Sequence, residues 1–307
     1  MPKNKVTIIG AGMVGSTAAF AMTAAGITDC LALIDINEKM VASQVMDLEH
    51  SVPFLSYTDI KVGEYNDLKD SRLAIITCGA AQKEGETRLD LLKKNSLIIK
   101  ELMPIIFKKN PDIIVIIVTN PVDILTNIAI KMFPKKKNQI FGSGTILDTA
   151  RFRHLIGDKI RVNPKSVHAY IVGEHGDSEV PLWSTATVGN TPLDRFQKIS
   201  AADKKIIFRQ AKNAAYSIIE GKKATYYAIA AGVSKLAKAV LFDKKTVYAV
   251  SHPLEGEYGI KGVCLSMPSV IGAGGVIKKI EVVMTKAEKS LLKKSAAKLA
   301  AAEEAAR

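Results

Sequence analysis

A glycine-rich turn near the amino terminus limits this chain to a small group of folds. The apolar run Val6–Ile9 predicts a short buried strand, and the residues from Gly10 to Gly15 follow it directly as G-A-G-M-V-G. The alanine-rich segment from Ser16 to Ala25 then predicts a helix. In this context the glycines allow a tight turn, close approach of the backbone to a pyrophosphate, and close contact between helix and strand. The turn therefore predicts a dinucleotide site at Gly10, Gly12, Met13, Val14 and Gly15.

The residue types around this turn indicate which nucleotide is bound. The turn nearly matches a P-loop, but Ser16 stands where a P-loop requires lysine, which disfavours a nucleotide triphosphatase. A second apolar run, Cys30–Ile34, ends at Asp35, twenty residues after Gly15. An acidic side chain there accepts hydrogen bonds from ribose hydroxyls and repels a 2'-phosphate. Asp35 could instead be only a strand-ending turn residue, but the spacing favours NAD as the cofactor.

Apolar strands and helical segments alternate through the first half of the chain. Leu73–Ile76 and Ile113–Val118 are apolar without alternation, which is typical of parallel strands covered on both faces. This pattern predicts an α/β fold with a Rossmann-type doubly wound parallel sheet over residues 1–143. The strict alternation ends near Gly142-Ser143-Gly144, so an α+β domain is expected over residues 144–307. Its expected helices cover 145–155, 201–220, 225–242 and 286–307, with strands between 246 and 283.

Composition and charge exclude several classes of partner. The chain has 43 Lys+Arg against 30 Asp+Glu, but the lysines are spread along it rather than interleaved with aromatic residues, so no nucleic-acid partner is expected. No apolar run reaches the ~18 residues of a membrane span, and no membrane partner is expected. The amino terminus has no signal-peptide pattern, which indicates a cytoplasmic protein. The three cysteines are far apart and lack metal-site spacing, so no metal is expected.

A single histidine between two glycines is the candidate catalytic group. The run from Ile171 predicts a strand that stops where Gly173 and Gly176 flank His175. Histidine exchanges a proton near neutral pH, and the glycines let the backbone turn sharply and present the ring in a cleft. A lone histidine is more often structural than catalytic, so the hypothesis needs partners from elsewhere in the chain. His175 is interpreted as a catalytic acid and base on that condition.

An acid and an arginine on a predicted helix are the candidate partners. Asp148 and Arg151 are three residues apart, so both project from one face of the helix. A planar guanidinium can hold a carboxylate through two parallel hydrogen bonds. A surface ion pair is the alternative interpretation, and it would be preferred if His175 were absent.

Six motifs occur in the order and approximate spacing of one known family. They are Gly10 to Gly15, Asp35, Gly79 to Arg88, Thr119 to Asp123, Leu147 to Arg151, and Gly173 to Asp177. Together they resemble the lactate/malate dehydrogenase family from the first strand to the final helix. The resemblance implies an NAD-dependent enzyme that moves a hydride between the cofactor and a small 2-hydroxy acid.

The resemblance also implies a role for each matching residue. His175 would be the proton donor and acceptor, Asp148 its partner, and Arg151 the anchor of the substrate's carboxylate. Arg88 would lie on a mobile lid and polarise the substrate carbonyl in a closed, dry site. Further residues are implied around the substrate, at Asn120 and Thr225, and around NAD, at Thr77, Gly79, Ala80, Val118 and Asn120.

One residue of the implied lid bears on the choice of substrate. Malate dehydrogenases of this family carry arginine at the position of Gln82, whereas lactate dehydrogenases carry glutamine. A dicarboxylate would lack a countercharge beside Gln82, and an unpaired buried carboxylate costs several kcal/mol. The neighbouring Glu86 also disfavours a dianion. L-lactate and pyruvate are therefore expected as substrates; the alternatives are malate with oxaloacetate, or a non-catalytic NAD-sensing protein.

Two polar residues outside the expected active site suggest regulation. Arg153 lies two residues beyond Arg151, rotated about 200° from the substrate face. His168 begins the predicted strand that leads to His175, roughly 20 Å away. In bacterial members activated by fructose 1,6-bisphosphate, an arginine and a histidine in these positions meet across a subunit interface. The resemblance implies a homotetramer with a bisphosphate site at Arg153 and His168, although both could be ordinary polar interface residues.

Overall fold

The computed structural model describes residues 4–80 and 87–306. Its strands are β1 (Lys5–Ile9), β2 (Cys30–Ile34), β3 (Asp59–Val62), β4 (Leu73–Ile76), β5 (Ile114–Ile117), β6 (Ile140–Gly142), β7 (Val167–His168), β8 (Ile171–Val172), β9 (Val180–Pro181), β10 (Thr187–Val188), β11 (Thr191–Pro192), β12 (Thr246–Glu255), β13 (Lys261–Gly272) and β14 (Gly275–Lys279). Its α-helices are α1 (Met13–Ala24), α2 (Glu38–Ser51), α3 (Arg88–Lys109), α4 (Val122–Met132), α5 (Ile146–Ile160), α6 (Leu193–Phe196), α7 (Ala201–Lys222), α8 (Tyr227–Leu241) and α9 (Lys286–Ala305).

The main sheet has the strand order β14-β13-β12-β6-β5-β4-β1-β2-β3. From β3 to β6 every neighbouring pair is parallel, in the order 3-2-1-4-5-6 of a dinucleotide-binding sheet. β12 then pairs antiparallel with β6 through Ser251 and Gly142, and β13 and β14 continue the antiparallel part. The predicted α/β fold with a Rossmann-type sheet is confirmed. Strands of the second half also extend that same sheet.

Helices cover both faces of the sheet because its central strands are apolar on both sides. β1, β2, β4 and β5 are buried at every residue. One core contains residues of α3, α4 and α9, including Ile99, Leu125 and Leu292, and the core on the other side contains residues of α1, α2 and α8. The parallel strands therefore end at one protected edge of the sheet, where loops can form a site.

The second half adds a separate core beside the main sheet. It contains residues of α5, α7 and the small strands, including Phe152, Val167 and Ile207. β7 pairs with β10, whereas β8 pairs with β9 in another sheet. The expected single strand from His168 to His175 is therefore wrong: it is two short strands separated at Ala169 and Tyr170, because each pairs with a different partner.

The predicted helices agree with the structure to within a few residues, apart from α5, which continues past Leu155 to Ile160. The helix expected from Thr225 begins at Tyr227, so Thr225 precedes it. None of the helices in residues 4–80 and 87–306 has an apolar stretch sufficient to span a lipid bilayer.

Candidate active site

The glycine turn joins β1 to α1 in a conformation that only glycine permits at its first position. Gly10 has a φ of 107°, and a Cβ there would lie 2.3 Å from the backbone nitrogen of Cys78. A Cβ at Gly15 would lie 1.9 Å from the Gly10 carbonyl oxygen, so α1 can pack against the turn only without it. At Gly12, by contrast, a Cβ would meet nothing within 4 Å. The turn therefore leaves open space at the start of α1, which suits a pyrophosphate.

Asp35 lies beside this turn, at the end of β2. Its Oδ2 accepts a hydrogen bond from the Ala11 backbone nitrogen at 2.8 Å, and its Oδ1 accepts one from the Asn37 nitrogen at 2.9 Å. These bonds orient the carboxylate toward the glycine turn while each oxygen keeps a further lone pair. The arrangement fits an adenosine ribose with free hydroxyls and opposes a phosphate at its 2' position.

The other predicted cofactor residues follow β4 and β5. Thr77 donates from Oγ1 to the Gly10 carbonyl oxygen at 2.7 Å, and Val118 donates from its backbone nitrogen to Ile76 at 2.9 Å. Gly79 packs closely against Thr119, since a Cβ on Gly79 would lie 2.6 Å from the Thr119 methyl carbon. These residues therefore line the carboxyl edge of neighbouring strands next to the glycine turn.

Asn95 connects the two strand ends, and sequence reasoning did not identify it. Its Oδ1 accepts a hydrogen bond from the Ala80 nitrogen at 2.8 Å, and its Nδ2 donates to the Asn120 carbonyl oxygen at 2.7 Å. Asn95 is buried on α3. Asn120 is exposed, and its peptide bond to Pro121 is cis. Asn95 thus sets the relative position of the segments that carry Ala80 and Asn120.

His175 and Arg151 both contact the buried Asp148 carboxylate. The His175 Nδ1 lies 2.5 Å from the Asp148 Oδ2, and the Arg151 guanidinium donates to the Asp148 Oδ1 at 3.0 Å. The Asp148 side chain is only 4% exposed, against 12% for Arg151 and 25% for His175. A single carboxylate therefore bridges the ring and the guanidinium. The ring's other nitrogen, Nε2, has no hydrogen-bond partner among the residues that the structure describes, so it is available to a substrate.

The loop that carries His175 is tied to the main sheet through a second buried acid, Asp123. The His175 backbone nitrogen donates to the Asp123 Oδ2 at 2.7 Å, and the Ser251 hydroxyl donates to its Oδ1 at 2.5 Å. Gly173, with a φ of 91°, exchanges two backbone hydrogen bonds with Ser266 on β13. The histidine is thus positioned from α4, β12 and β13 together.

Comparison with known proteins identifies the family of this chain. Residues 4–142 match the model of the lactate/malate dehydrogenase NAD binding domain, and residues 145–306 match that of the family's alpha/beta C-terminal domain. The chain belongs to the lactate/malate dehydrogenase family. The predicted family membership and the NAD cofactor are therefore confirmed.

Several members of this family resemble the chain along almost its whole length. The L-lactate dehydrogenase of Acetivibrio thermocellus is 45% identical over 296 residues, which cover 95% of this chain and 93% of the relative. That of Thermoanaerobacter pseudethanolicus is 42% identical over 298 residues, covering 95% and 96%. The crystal structure of the minor L-lactate dehydrogenase from Enterococcus mundtii in the ligands-bound form superimposes with a TM-score of 0.96 at 37% identity, covering 100% of this chain and 99% of that one.

The charges of Asp148 and its neighbours favour the protonated form of His175. Burial lowers the pKa of His175, but the adjacent Asp148 carboxylate outweighs it and raises that pKa to about 9. Burial opposes ionisation of Asp148, yet the charges of His175 and Arg151 hold its pKa below the usual value. At neutral pH His175 is therefore in its positively charged imidazolium form, while Asp148 is a negatively charged carboxylate.

The anchoring acid Asp123 has a different electrostatic environment. Burial raises its pKa to about 6, although the hydrogen bonds from Ser251 and the His175 backbone lower it. The sequence motif from Thr119 to Asp123 contains this residue, but nothing in the sequence indicates that it contacts the histidine loop. Only the fold brings α4 next to that loop.

The remaining predicted residues differ in how far the structure describes them. Gln82 and Glu86 lie outside the described residues, as does the side chain of Arg88, the first residue of α3. Thr225 is half-buried, and within residues 4–80 and 87–306 no hydrogen bond joins it to the His175 cluster. No group of metal-ligating side chains suited to an ion occurs in those same ranges.

Arg153 on α5 contacts the chain segment just after His168. The Arg153 Nε donates to the Ala169 carbonyl oxygen at 2.9 Å, and its guanidinium carbon lies 4.9 Å from the centre of the Tyr170 ring. His168, on β7, is exposed. Arg153 thus contacts the backbone of the residue that follows His168.

Proposed function

We propose that this protein is an NAD-dependent L-lactate dehydrogenase, which interconverts L-lactate and pyruvate. The observation that carries the proposal is the Asp148 carboxylate shared between His175 and Arg151, at 2.5 and 3.0 Å. It joins a proton donor to a carboxylate anchor, which are the two groups that reduction of a 2-oxo acid requires of the protein. Relatives at 42 and 45% identity that are named L-lactate dehydrogenase support the same reaction.

In this proposal the protein's own residues bind, orient and protonate the substrate. Bound NADH supplies the hydride that reduces the 2-carbon. Arg151 binds the substrate's carboxylate through two parallel hydrogen bonds, which fixes the orientation of the carbonyl. His175 then donates its Nε2 proton to the carbonyl oxygen, and Asp148 keeps the opposite face of the ring in place throughout. The reverse reaction returns a proton from the alcohol to Nε2.

We assign the remaining site residues by their match to the family motifs. Arg88 would polarise the carbonyl, Asn120 would donate to the substrate oxygen, and Thr225 would line the pocket. NAD would contact Gly10, Gly12, Met13, Val14, Gly15 and Asp35, together with Thr77, Gly79, Ala80, Val118 and Asn120. We also propose a cytoplasmic enzyme with an NAD-binding domain at residues 1–143 and a catalytic domain at residues 144–307.

The substrate assignment depends on Gln82, and it can be tested with one substitution. The wild-type protein is expected to oxidise NADH much faster with pyruvate than with oxaloacetate. Gln82→Arg is expected to shift the ratio of kcat/KM values toward oxaloacetate by more than about a hundredfold, because arginine supplies a countercharge for the second carboxylate. Steady-state NADH oxidation with each substrate measures both ratios.

The same assay distinguishes the alternatives. A wild-type preference for oxaloacetate would identify a malate dehydrogenase, and turnover with neither substrate would favour an NAD-sensing protein. Gln82→Asn, which leaves the residue uncharged, is the matched control, and its substrate preference should remain that of the wild type.

We further propose a homotetramer that binds fructose 1,6-bisphosphate at Arg153 and His168. The bond from Arg153 to the Ala169 carbonyl oxygen supports this, since it joins α5 to the residue that follows the exposed His168. Two phosphate groups could then be bound where these residues of neighbouring subunits meet.

If the bisphosphate is an effector, it should lower the apparent KM for pyruvate. The effect should be larger at acidic pH, because a protonated imidazole binds phosphate more strongly than a neutral one. Arg153→Gln should abolish it, whereas Arg161→Gln, on the surface beyond α5, should not. Rate curves that coincide with and without the bisphosphate from pH 5.5 to 7.5 would exclude an effector site.

A further inference from the structure

A buried carboxyl group near the proposed catalytic cluster has no assigned role. Glu179 follows His175 by four residues, in the turn between β8 and β9. It lies outside the family motif from Gly173 to Asp177. The residue is only 6% exposed, and its Oε1 has no hydrogen-bond partner among the residues that the structure describes. Burying a charged oxygen in this way is unfavourable unless the group becomes neutral.

The β8–β9 hairpin, which contains the turn with Glu179, is joined to the helix that carries the catalytic acid and the arginine. Thr145, which precedes α5, and Thr149 on α5 donate from their hydroxyls to the Ile171 carbonyl oxygen of β8, at 2.6 and 3.3 Å. Thr149 also accepts from the Ile171 nitrogen at 3.1 Å. Glu179 itself donates from its nitrogen to Gly176, next to His175. The turn is therefore fixed relative to α5.

Two further helices, α7 and α9, contact the same turn through lysine side chains. Lys212 on α7 donates from Nζ to the Asp177 carbonyl oxygen at 2.6 Å. On α9, Lys298 lies 3.3 Å from Glu174 and pairs with that acid. The charged groups whose fields act on Glu179 are Asp148 and Arg151 from α5, His175 from its own loop, and Lys212 from α7.

These surroundings favour the neutral form of Glu179 at physiological pH. Burial raises its pKa to about 8, and the charge of Asp148 acts in the same direction. The opposing charges of His175, Arg151 and Lys212 do not overcome burial. At pH 7 the group is therefore protonated, and it becomes a buried negative charge only in mildly alkaline solution.

We propose that Glu179 controls the alkaline limit of substrate binding: its neutral carboxyl group tolerates an anionic substrate at Arg151, and its ionised form opposes one. The inference rests on the proposed function, because it needs a substrate carboxylate at that arginine. Glu179 acts through the charge it adds beside Arg151 and His175. It is a positioning residue and does not itself transfer the proton.

The two steps of the reaction should respond differently to this charge. An ionised Glu179 repels the incoming carboxylate and raises the KM for pyruvate. The same charge favours the imidazolium form of His175, since Glu179 is one of the groups that raise the pKa of that ring. The proton donor is therefore retained while binding weakens, so KM should rise before kcat falls.

The test compares the pH dependence of KM and kcat for pyruvate in wild type and Glu179→Gln from pH 6 to 9.5. Glutamine has the shape of the neutral acid, so the two proteins should have KM values within about twofold below pH 7. At pH 9 only about a tenth of a group with a pKa near 8 remains protonated. The wild-type KM should then exceed that of Glu179→Gln by about tenfold.

Controls separate this effect from other causes. Circular dichroism at pH 7 shows whether Glu179→Gln folds. If it does not, Glu179→Leu, which also lacks the titrating group, takes its place and should show the same flatter KM profile. Glu220→Gln, an exposed acid on α7, removes the same charge at a distance and should follow the wild-type profile.

The outcomes distinguish this inference from the proposed function. A wild-type KM that stays constant up to pH 9, or KM profiles that coincide in wild type and Glu179→Gln, would overturn the role of Glu179. Failure of wild type to reduce pyruvate at pH 6.5 would instead overturn the proposed function, and with it any role of Glu179 in binding pyruvate.

Discussion

Replacing His175 with asparagine is expected to lower kcat for pyruvate reduction by about 10³-fold, because an amide cannot donate the proton that the carbonyl oxygen must receive. Asparagine can still occupy the position next to Asp148, whose other oxygen remains bound to Arg151. Binding of NADH should change little, since the glycine turn and Asp35 belong to the other half of the chain. Steady-state assays give kcat, and fluorescence titration gives the dissociation constant for NADH.

The matched control is His154→Asn on the same helix as Asp148. The His154 side chain is 64% exposed and lies 3.3 Å from the exposed Asp158, so its loss should leave kcat within about twofold of wild type. An NADH affinity that falls in His175→Asn as much as kcat does would contradict the separation of the two sites. Full activity in His175→Asn would remove the assignment of the proton donor.

Substituting Arg151 with lysine should lower kcat/KM for pyruvate by about 10²- to 10³-fold. Lysine keeps the positive charge but cannot bind a carboxylate through two parallel hydrogen bonds, and it leaves a buried partner poorly paired. Most of the loss should be in KM, because the contact forms when substrate binds and persists through the reaction. Steady-state kinetics over a wide range of pyruvate concentrations separates KM from kcat.

Arg209→Lys, at an exposed position on α7, is the corresponding control and should have wild-type kinetics. An Arg151→Lys protein with an unchanged KM would indicate that the substrate's carboxylate binds elsewhere. Thermal unfolding of both variants at pH 7 checks that the fold is retained.

The sequence predicted those parts of the fold and site that depend on local patterns. The glycine turn, Asp35 and the apolar strands lie where short-range rules put them. Asp148 and Arg151 share a helix face because their spacing requires it. The fold class and the family follow from such motifs.

The sequence could not predict contacts that depend on how distant segments pair. The run before His175 has the composition of one strand, but its two ends pair with different partners, so it divides into β7 and β8. Asp123 contacts the histidine loop only because α4 packs beside it. The turn that carries Glu179 is likewise contacted by α5 through Ile171 and by α7 through Asp177, and these helices lie on either side of it in the chain.

The single sheet that runs from β3 to β14 has a geometric consequence for the enzyme. The pyrophosphate turn follows β1, whereas the histidine loop is anchored through Asp123 to Ser251 on β12. Between these two strands lie β4, β5 and β6, so the separation is four strand spacings, roughly 19 Å at about 4.8 Å each. Backbone hydrogen bonds between neighbouring strands thus fix the distance between the glycine turn and the strand to which the His175 loop is anchored. The sequences of loops at the edge of the sheet can then change to bind a different 2-oxo acid. The distance over which the dinucleotide must extend stays the same.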